Sequence, residues 1–177
     1  MTSTVPALGP TGPAPVVFVS YSWDSEPHKL WVREDFTNGL RSLGVDAVVD
    51  VHGTSYGDSL DDFMERLVES CNHIAVICTP NYADRARRDA GGVGYEKVLI
   101  KRFMASAEPG RRVIPVLRDG DGHSVPPFLG SRLWVDMRND ALTPVMLDEL
   151  AALFYGRQLY GAVTLAEPPD WLKKLIA

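Results

Sequence analysis

The sequence predicts an α/β fold, a three-layer sandwich built on a central five-stranded parallel sheet. Two observations point there. The strand candidates are short continuous apolar runs, VVFVSY at Val16–Tyr21 and IAVIC at Ile74–Cys78, which suit strands covered on both faces. Segments with helical spacing separate these runs, giving the order β-α-β-α-β-α-β-β-α expected of helices laid on both faces of a parallel sheet.

Taken in order, Met1–Pro15 is rich in Pro, Gly, Thr and Ala. Nothing in it offsets the entropy of ordering, so a disordered N-terminal tail is expected. Val16–Tyr21 is the first strand. Ser25 caps the next helix, with Pro27 in the first turn, where a missing N–H costs nothing. Val32, Phe36, Leu40 and Leu43 recur at helical spacing, and Gly44 ends that helix. Val45–Val49 is the second strand, closing at Asp50. A polar loop, His52 to Asp58, leads to a helix whose stripe is Leu60, Phe63, Met64, Leu67 and Val68.

Ile74–Cys78 is the third strand, and a long polar segment, Asn81–Gly94, leads into a helix beginning near Tyr95. Val113–Leu117 is the fourth strand and Leu133–Val135 a short fifth. Pro144–Phe154 closes the domain as a helix with Leu147, Leu150, Ala151 and Phe154 inward. The domain thus spans residues 16–156. Residues 157–177 form a C-terminal segment or linker stub, broken at Glu167-Pro168-Pro169 before the apolar Trp171–Ile176.

At 177 residues the chain fits one domain, with a core large enough to need no disulfide or metal staple. Its two cysteines, Cys71 and Cys78, lack metal-ligand spacing and read as reduced core thiols. Net charge is −5, which argues against a general nucleic-acid surface. The apolar runs are too short to cross a bilayer. The N-terminal tail has neither the basic nor the apolar region of a signal peptide. A soluble, cytoplasmic protein is expected. There is no P-loop, no G-x-S-x-G elbow and no H-E-x-x-H zinc motif in the sequence. A phosphoacceptor Asp is missing where the third strand ends, at Thr79 and Pro80. The four histidines form no ligand pattern, and no metal site is expected.

For the flavodoxin-like strand order 2-1-3-4-5, ligands bind beyond the carboxyl ends of strands one and three, where the order reverses. That rule brings together Ser20–Asp24, Thr79–Tyr82, the Gly53–Asp58 loop and Glu96 in the first turn of its helix. Each has an ordinary reading beside the functional one. Glu96 is either a site carboxylate or a partner of the helix dipole. Trp23 either stacks on a base or packs. Gly53 and Gly57 either shape a binding loop or supply positive φ in a turn. Asp50 and Asp58 either take part or cap and solvate. Arg85, Arg87 and Arg88 either clamp phosphates or form a solvated charge run.

Val17–Asp24, reading VFVSYSWD, resembles the opening strand and loop of TIR domains, particularly the bacterial branch related to SEFIR domains. Gly44–Asp50 resembles that family's second strand, and Tyr56-Gly57-Asp58-Ser59-Leu60 the end of its BB loop. IAVICTPNY at Ile74–Tyr82 and GGVGYEK at Gly91–Lys97 resemble the third strand and following helix of the bacterial proteins. The likeness runs from Val16 to about Gly156.

The resemblance implies an NAD glycohydrolase of bacterial immunity, yielding ADP-ribose or a cyclised isomer, with Glu96 at the family's catalytic position and NAD as substrate, not cofactor. It further implies a pocket drawn from Ser20, Tyr21, Ser22, Trp23, Asp50, Tyr56, Gly57, Asp58, Tyr82 and Tyr95. Activity in this family accompanies self-association through TIR–TIR contacts, under a sensor domain or partner protein. Many catalytic members carry a Trp four residues before the glutamate; Gly92 stands there, leaving Tyr95, Trp23 or Tyr82 as the aromatic wall. Animal SEFIR relatives act mainly as adaptors, so the alternative is a non-catalytic interaction module.

Overall fold

The computed structural model describes residues 13–49, 62, 65–66, 69–88, 91–106, 108–159, 167–170 and 174–175, with residues 91–95 described in their backbone. Five strands form one sheet in the order β2-β1-β3-β4-β5: β1 Val16–Ser20, β2 Asp46–Val48, β3 His73–Cys78, β4 Arg112–Leu117 and β5 Val135–Asp136. Every pairing is parallel. The predicted fold class and strand order are both present.

Alternation along the strands divides two apolar layers. Val17, Val19 and Tyr21 of the first run, with Ala75 and Ile77 of β3, face one side. There they meet a π-helical stretch (Trp31–Thr37), α2 (Asn38–Ser42) and α5 (Thr143–Phe154). The short α1 (Glu26–Leu30), which buries no residue, touches this side through His28 beside Tyr21. Phe18, Ile74, Val76 and Cys78 face the other side, under α3 (Pro80–Arg88) and α4 (Gly91–Ala105). β3 is buried along its whole length, as its continuous apolar run requires.

Four elements depart from the sequence reading. The first helix is not uniformly α. Its middle turns widen so that Asn38 N–H reaches Arg33 C=O, a five-residue step. That step lets Trp31, Val32, Phe36 and Thr37 all enter the core, a spacing a 3.6-residue turn serves less well. Leu43 falls in the turn after it and is exposed.

The polar segment Asn81–Gly94 is largely helical. Pro80 opens α3, and Tyr82, Ala83 and Ala86 give it a narrow buried stripe that the surrounding charges obscure in the sequence. α4 accordingly starts at Gly91 rather than near Tyr95. The fifth strand lies at Val135–Asp136 instead of Leu133–Val135. Leu133 is 92% exposed, so its hydrophobicity gave a false register.

Pro15, assigned to the tail, is buried, and its carbonyl accepts from Asp46 N–H at 2.9 Å, extending the sheet edge by one residue. The Leu60–Val68 stripe and most of Trp171–Ile176 lie outside the described residues. The helical positions Asp62, Glu65, Arg66 and Glu69 are exposed, as expected of the face opposite that stripe.

Ser25 caps α1 as read from the sequence, its hydroxyl accepting from His28 N–H at 3.2 Å. Gly44 has φ +84°, and its carbonyl accepts from the Tyr155 hydroxyl at 2.8 Å. Cys71 and Cys78 are both free and buried. Among the described residues no helix is long and apolar enough to cross a membrane.

Candidate functional site

β1 ends at Ser20, paired with Val76, while β3 continues to Cys78. This step in the sheet edge lies at the reversal of strand order, and the chain after β1 crosses it beside the start of α3. Strand alternation puts Ser20 on the face of Phe18, toward α3 and α4. Its hydroxyl there donates to Glu96 Oε2 and lies 2.8 Å from the Tyr82 hydroxyl. Ser20 and Tyr82 are buried and Glu96 is half-buried.

Gly91 is the first residue of α4, so Glu96 is its sixth and stands in the second turn. The expected first-turn position is corrected. The helix dipole acts mainly within the terminal turn, so it offers Glu96 little, and the dipole reading loses its physical basis.

A second group of polar contacts lies beside the first. Ser22 Oγ donates to Asp24 Oδ1 and sits 3.4 Å from Thr79 Oγ1. Asn81 Nδ2 donates to the same Asp24 oxygen at 2.6 Å. Thr79 Oγ1 also accepts from Tyr82 N–H at 3.1 Å, satisfying one open donor of α3's first turn. The loop after β1 is thereby tied to the start of α3 on both sides of the crevice.

Of the predicted site residues, Ser20, Tyr82 and Glu96 come together. Ser22 lies in the neighbouring group with Asp24 and Thr79, and Trp23 stands at the rim, 60% exposed, with Lys29 Nζ 5.5 Å from its ring centroid. Tyr21 points to the opposite layer, buried, its ring 6.2 Å from that of His28. Tyr82 is fully buried, so its ring cannot serve as the exposed aromatic wall. Burial and the neighbouring Glu96 charge push its phenol well above the ordinary value, against the opposing pull of the Ser20 hydrogen bond. Asp50, Gly53, Tyr56, Gly57 and Asp58 lie outside the described residues, as does the side chain of Tyr95.

Asp24, Thr79 and Asn81 were brought to the crevice by topology but given no role. A further surface was missed entirely. An open cleft of about 770 Å³ is lined by Pro80, Asn81, Asp84 and Arg87 on α3 and by Gly120, Asp121, His123 and Ser124 after β4. Its available signal was Asp121-x-x-Ser124, a capping-box spacing. Asp121 accepts from His123 N–H at 2.8 Å, and Ser124 Oγ accepts from Asp121 N–H at 3.3 Å. Arg87 and Arg88 lie 3.6 and 2.7 Å from Asp84, and Arg87 also donates to the His123 carbonyl at 2.8 Å. These contacts favour the charge-run reading over a phosphate clamp. Among the described residues no cluster of His, Cys, Asp and Glu is suited to a metal ion.

Comparison with known proteins agrees with this architecture. The TIR domain sequence profile matches residues 17–153. A prokaryotic SEFIR domain of known structure is 31% identical, with a TM-score of 0.61 over 88% of this chain and 98% of its own. The TIR domain of the Toll-related receptor TRR-2 from Hydra magnipapillata is 17% identical, with a TM-score of 0.58 over 78% of this chain and 96% of its own. The TIR domains of the activated Roq1 resistosome are 18% identical, with a TM-score of 0.51 over 84% and 86%. At those identities the last two speak for the fold alone. No curated protein matches the sequence. Together, the profile spanning most of the chain and the 31% identical SEFIR structure establish that this chain belongs to the TIR domain family, in its bacterial TIR/SEFIR-like form.

Proposed function

We propose that this domain hydrolyses NAD at the nicotinamide–ribose bond, with Glu96 as the essential carboxylate. The observation that supports this most is the half-buried Glu96 at the sheet's switch point, receiving the Ser20 hydrogen bond from a second-turn position where the helix dipole offers it little. Breaking the bond leaves oxocarbenium-like charge on the ribose. A single carboxylate stabilises that charge and holds the ribose hydroxyls. Nicotinamide leaves as a neutral ring from its cationic bound form, so no general acid is needed. Water adds to the ribose carbon, releasing ADP-ribose and a proton. Trp23 offers an exposed aromatic surface at the rim for the departing ring.

Activity is expected to accompany self-association, with NAD as substrate, in a cytoplasmic bacterial defence setting under a sensor domain or partner protein. The 31% identity to a prokaryotic SEFIR domain favours a second reading, a non-catalytic interaction module. Nicotinamide release at high protein concentration separates the two. Turnover by the wild type and none by an equally folded Glu96→Ala variant supports the hydrolase. Absence of turnover in a confirmed assembly supports the module.

A further inference from the structure

We propose that Tyr82 is a positioning residue that acts on Glu96 through Ser20; this rests on Glu96 being the reactive carboxylate. Ser20 Oγ carries a single hydrogen and lies against two oxygens, Glu96 Oε2 and the Tyr82 hydroxyl. In the ionised form that the chemistry requires, a carboxylate only accepts. The serine proton therefore goes to Glu96. The 2.8 Å contact then runs from the Tyr82 O–H to the Ser20 oxygen. The opposite polarity leaves two oxygens in contact with no hydrogen between them.

Tyr82 is built to be a fixed donor. Its ring is fully buried in the layer of Phe18 and Ile100, and its backbone N–H is anchored on Thr79 Oγ1. Burial holds the phenol in its neutral form, so the donor proton is retained. Each hydrogen bond in such a chain polarises the next. The Tyr82 bond fixes the rotor of Ser20 and sharpens its donation to Glu96. An aromatic residue that sequence resemblance offered as a stacking wall becomes a support behind the carboxylate.

A double-mutant cycle on the full chain tests this. Tyr82→Phe keeps the ring and removes only the hydroxyl; Ser20→Ala removes the link. Each is expected to lower kcat for NAD roughly tenfold, the scale of one hydrogen bond, with KM unchanged. The double variant is expected to lose no more than Ser20→Ala alone, because the two hydroxyls act in series. Additive losses overturn the proposal, as does wild-type kcat in Tyr82→Phe or a change confined to KM.

The carboxyl ¹³C resonance of Glu96 at fixed neutral pH gives a readout independent of turnover. It is expected to move in Tyr82→Phe, and Tyr82→Phe is expected to cause no further movement once Ser20 is alanine. A wild type that cleaves no NAD in a confirmed assembly defeats the hydrolase reading. In that case the resonance still decides the coupling: movement in Tyr82→Phe upholds it, and an unmoved resonance overturns it.

Discussion

The Ser20 hydroxyl donates to the Glu96 carboxylate across 76 positions of the chain, joining the end of β1 to the second turn of α4. An interaction of that kind holds a carboxylate in place. Glu96→Gln preserves the size of the side chain and an oxygen that accepts from Ser20, while removing the charge. Nicotinamide release is expected to fall by at least about a hundredfold, the scale of losing one electrostatic stabiliser of a transition state. The thermal midpoint should stay close to wild type. An active Gln variant assigns the chemistry elsewhere.

Trp23 makes a different prediction, since its ring is largely exposed and its removal takes little from the core. Trp23→Ala is expected to raise KM for NAD on the order of tenfold, as loss of one stacking surface does. Urea midpoints should not change. Steady-state kinetics on the assembled protein check both parts. An unchanged KM removes Trp23 from the binding surface.

His73 is expected to contribute to the pH dependence of stability. Its Nε2 lies 3.1 Å from the Phe154 carbonyl and its ring is buried against Phe154, 5.1 Å between centroids. Burial lowers its pKa below the ordinary 6.5, with the Phe154 hydrogen bond opposing and Arg112 assisting. The unfolded chain therefore takes up the proton first. Stability is complete above about pH 6.5 and declines as pH falls toward the lowered folded value. His28 is shifted the same way, chiefly by burial. Urea titrations between neutral and mildly acidic pH should show this decline, and His73→Gln should make it shallower. An equal slope in both proteins rejects the assignment.

Cys71 and Cys78 should be chemically silent in the folded protein. Both are buried, and burial pushes each thiol up to about 12. Alkylation near pH 8, where an ordinary cysteine is partly thiolate, is expected to modify neither thiol natively and both in urea. Mass spectrometry reads the result directly. Rapid native labelling of either residue shows that its layer opens.

The Gly91–Lys97 segment illustrates how far motif reading reaches. GGVGYEK located Glu96 near the right strand ends, because topology alone brings the segment after β3 to that edge. The turn was misplaced, because α3 hides its apolar stripe within Asn-Tyr-Ala-Asp-Arg-Ala-Arg-Arg. Its buried Tyr82, Ala83 and Ala86 are few beside the charges. Helix limits there are set by what the sheet covers, which local composition reports weakly.

By itself the sequence determined the parallel fold class, four of the five strands and the segments that topology brings to the switch point. Continuous apolar runs such as Ile74–Cys78 must be covered on both faces, and that requirement is written in the residues themselves. Only the tertiary structure decided which polar side chains meet. The pairing of Tyr82 with Ser20, the turn of Tyr21 into the opposite layer and the ties of Asp24 to Ser22 and Asn81 depend on how layers close. Hydrogen bonds act over about 3 Å, so partners far apart in sequence are fixed by packing, and no local period announces them.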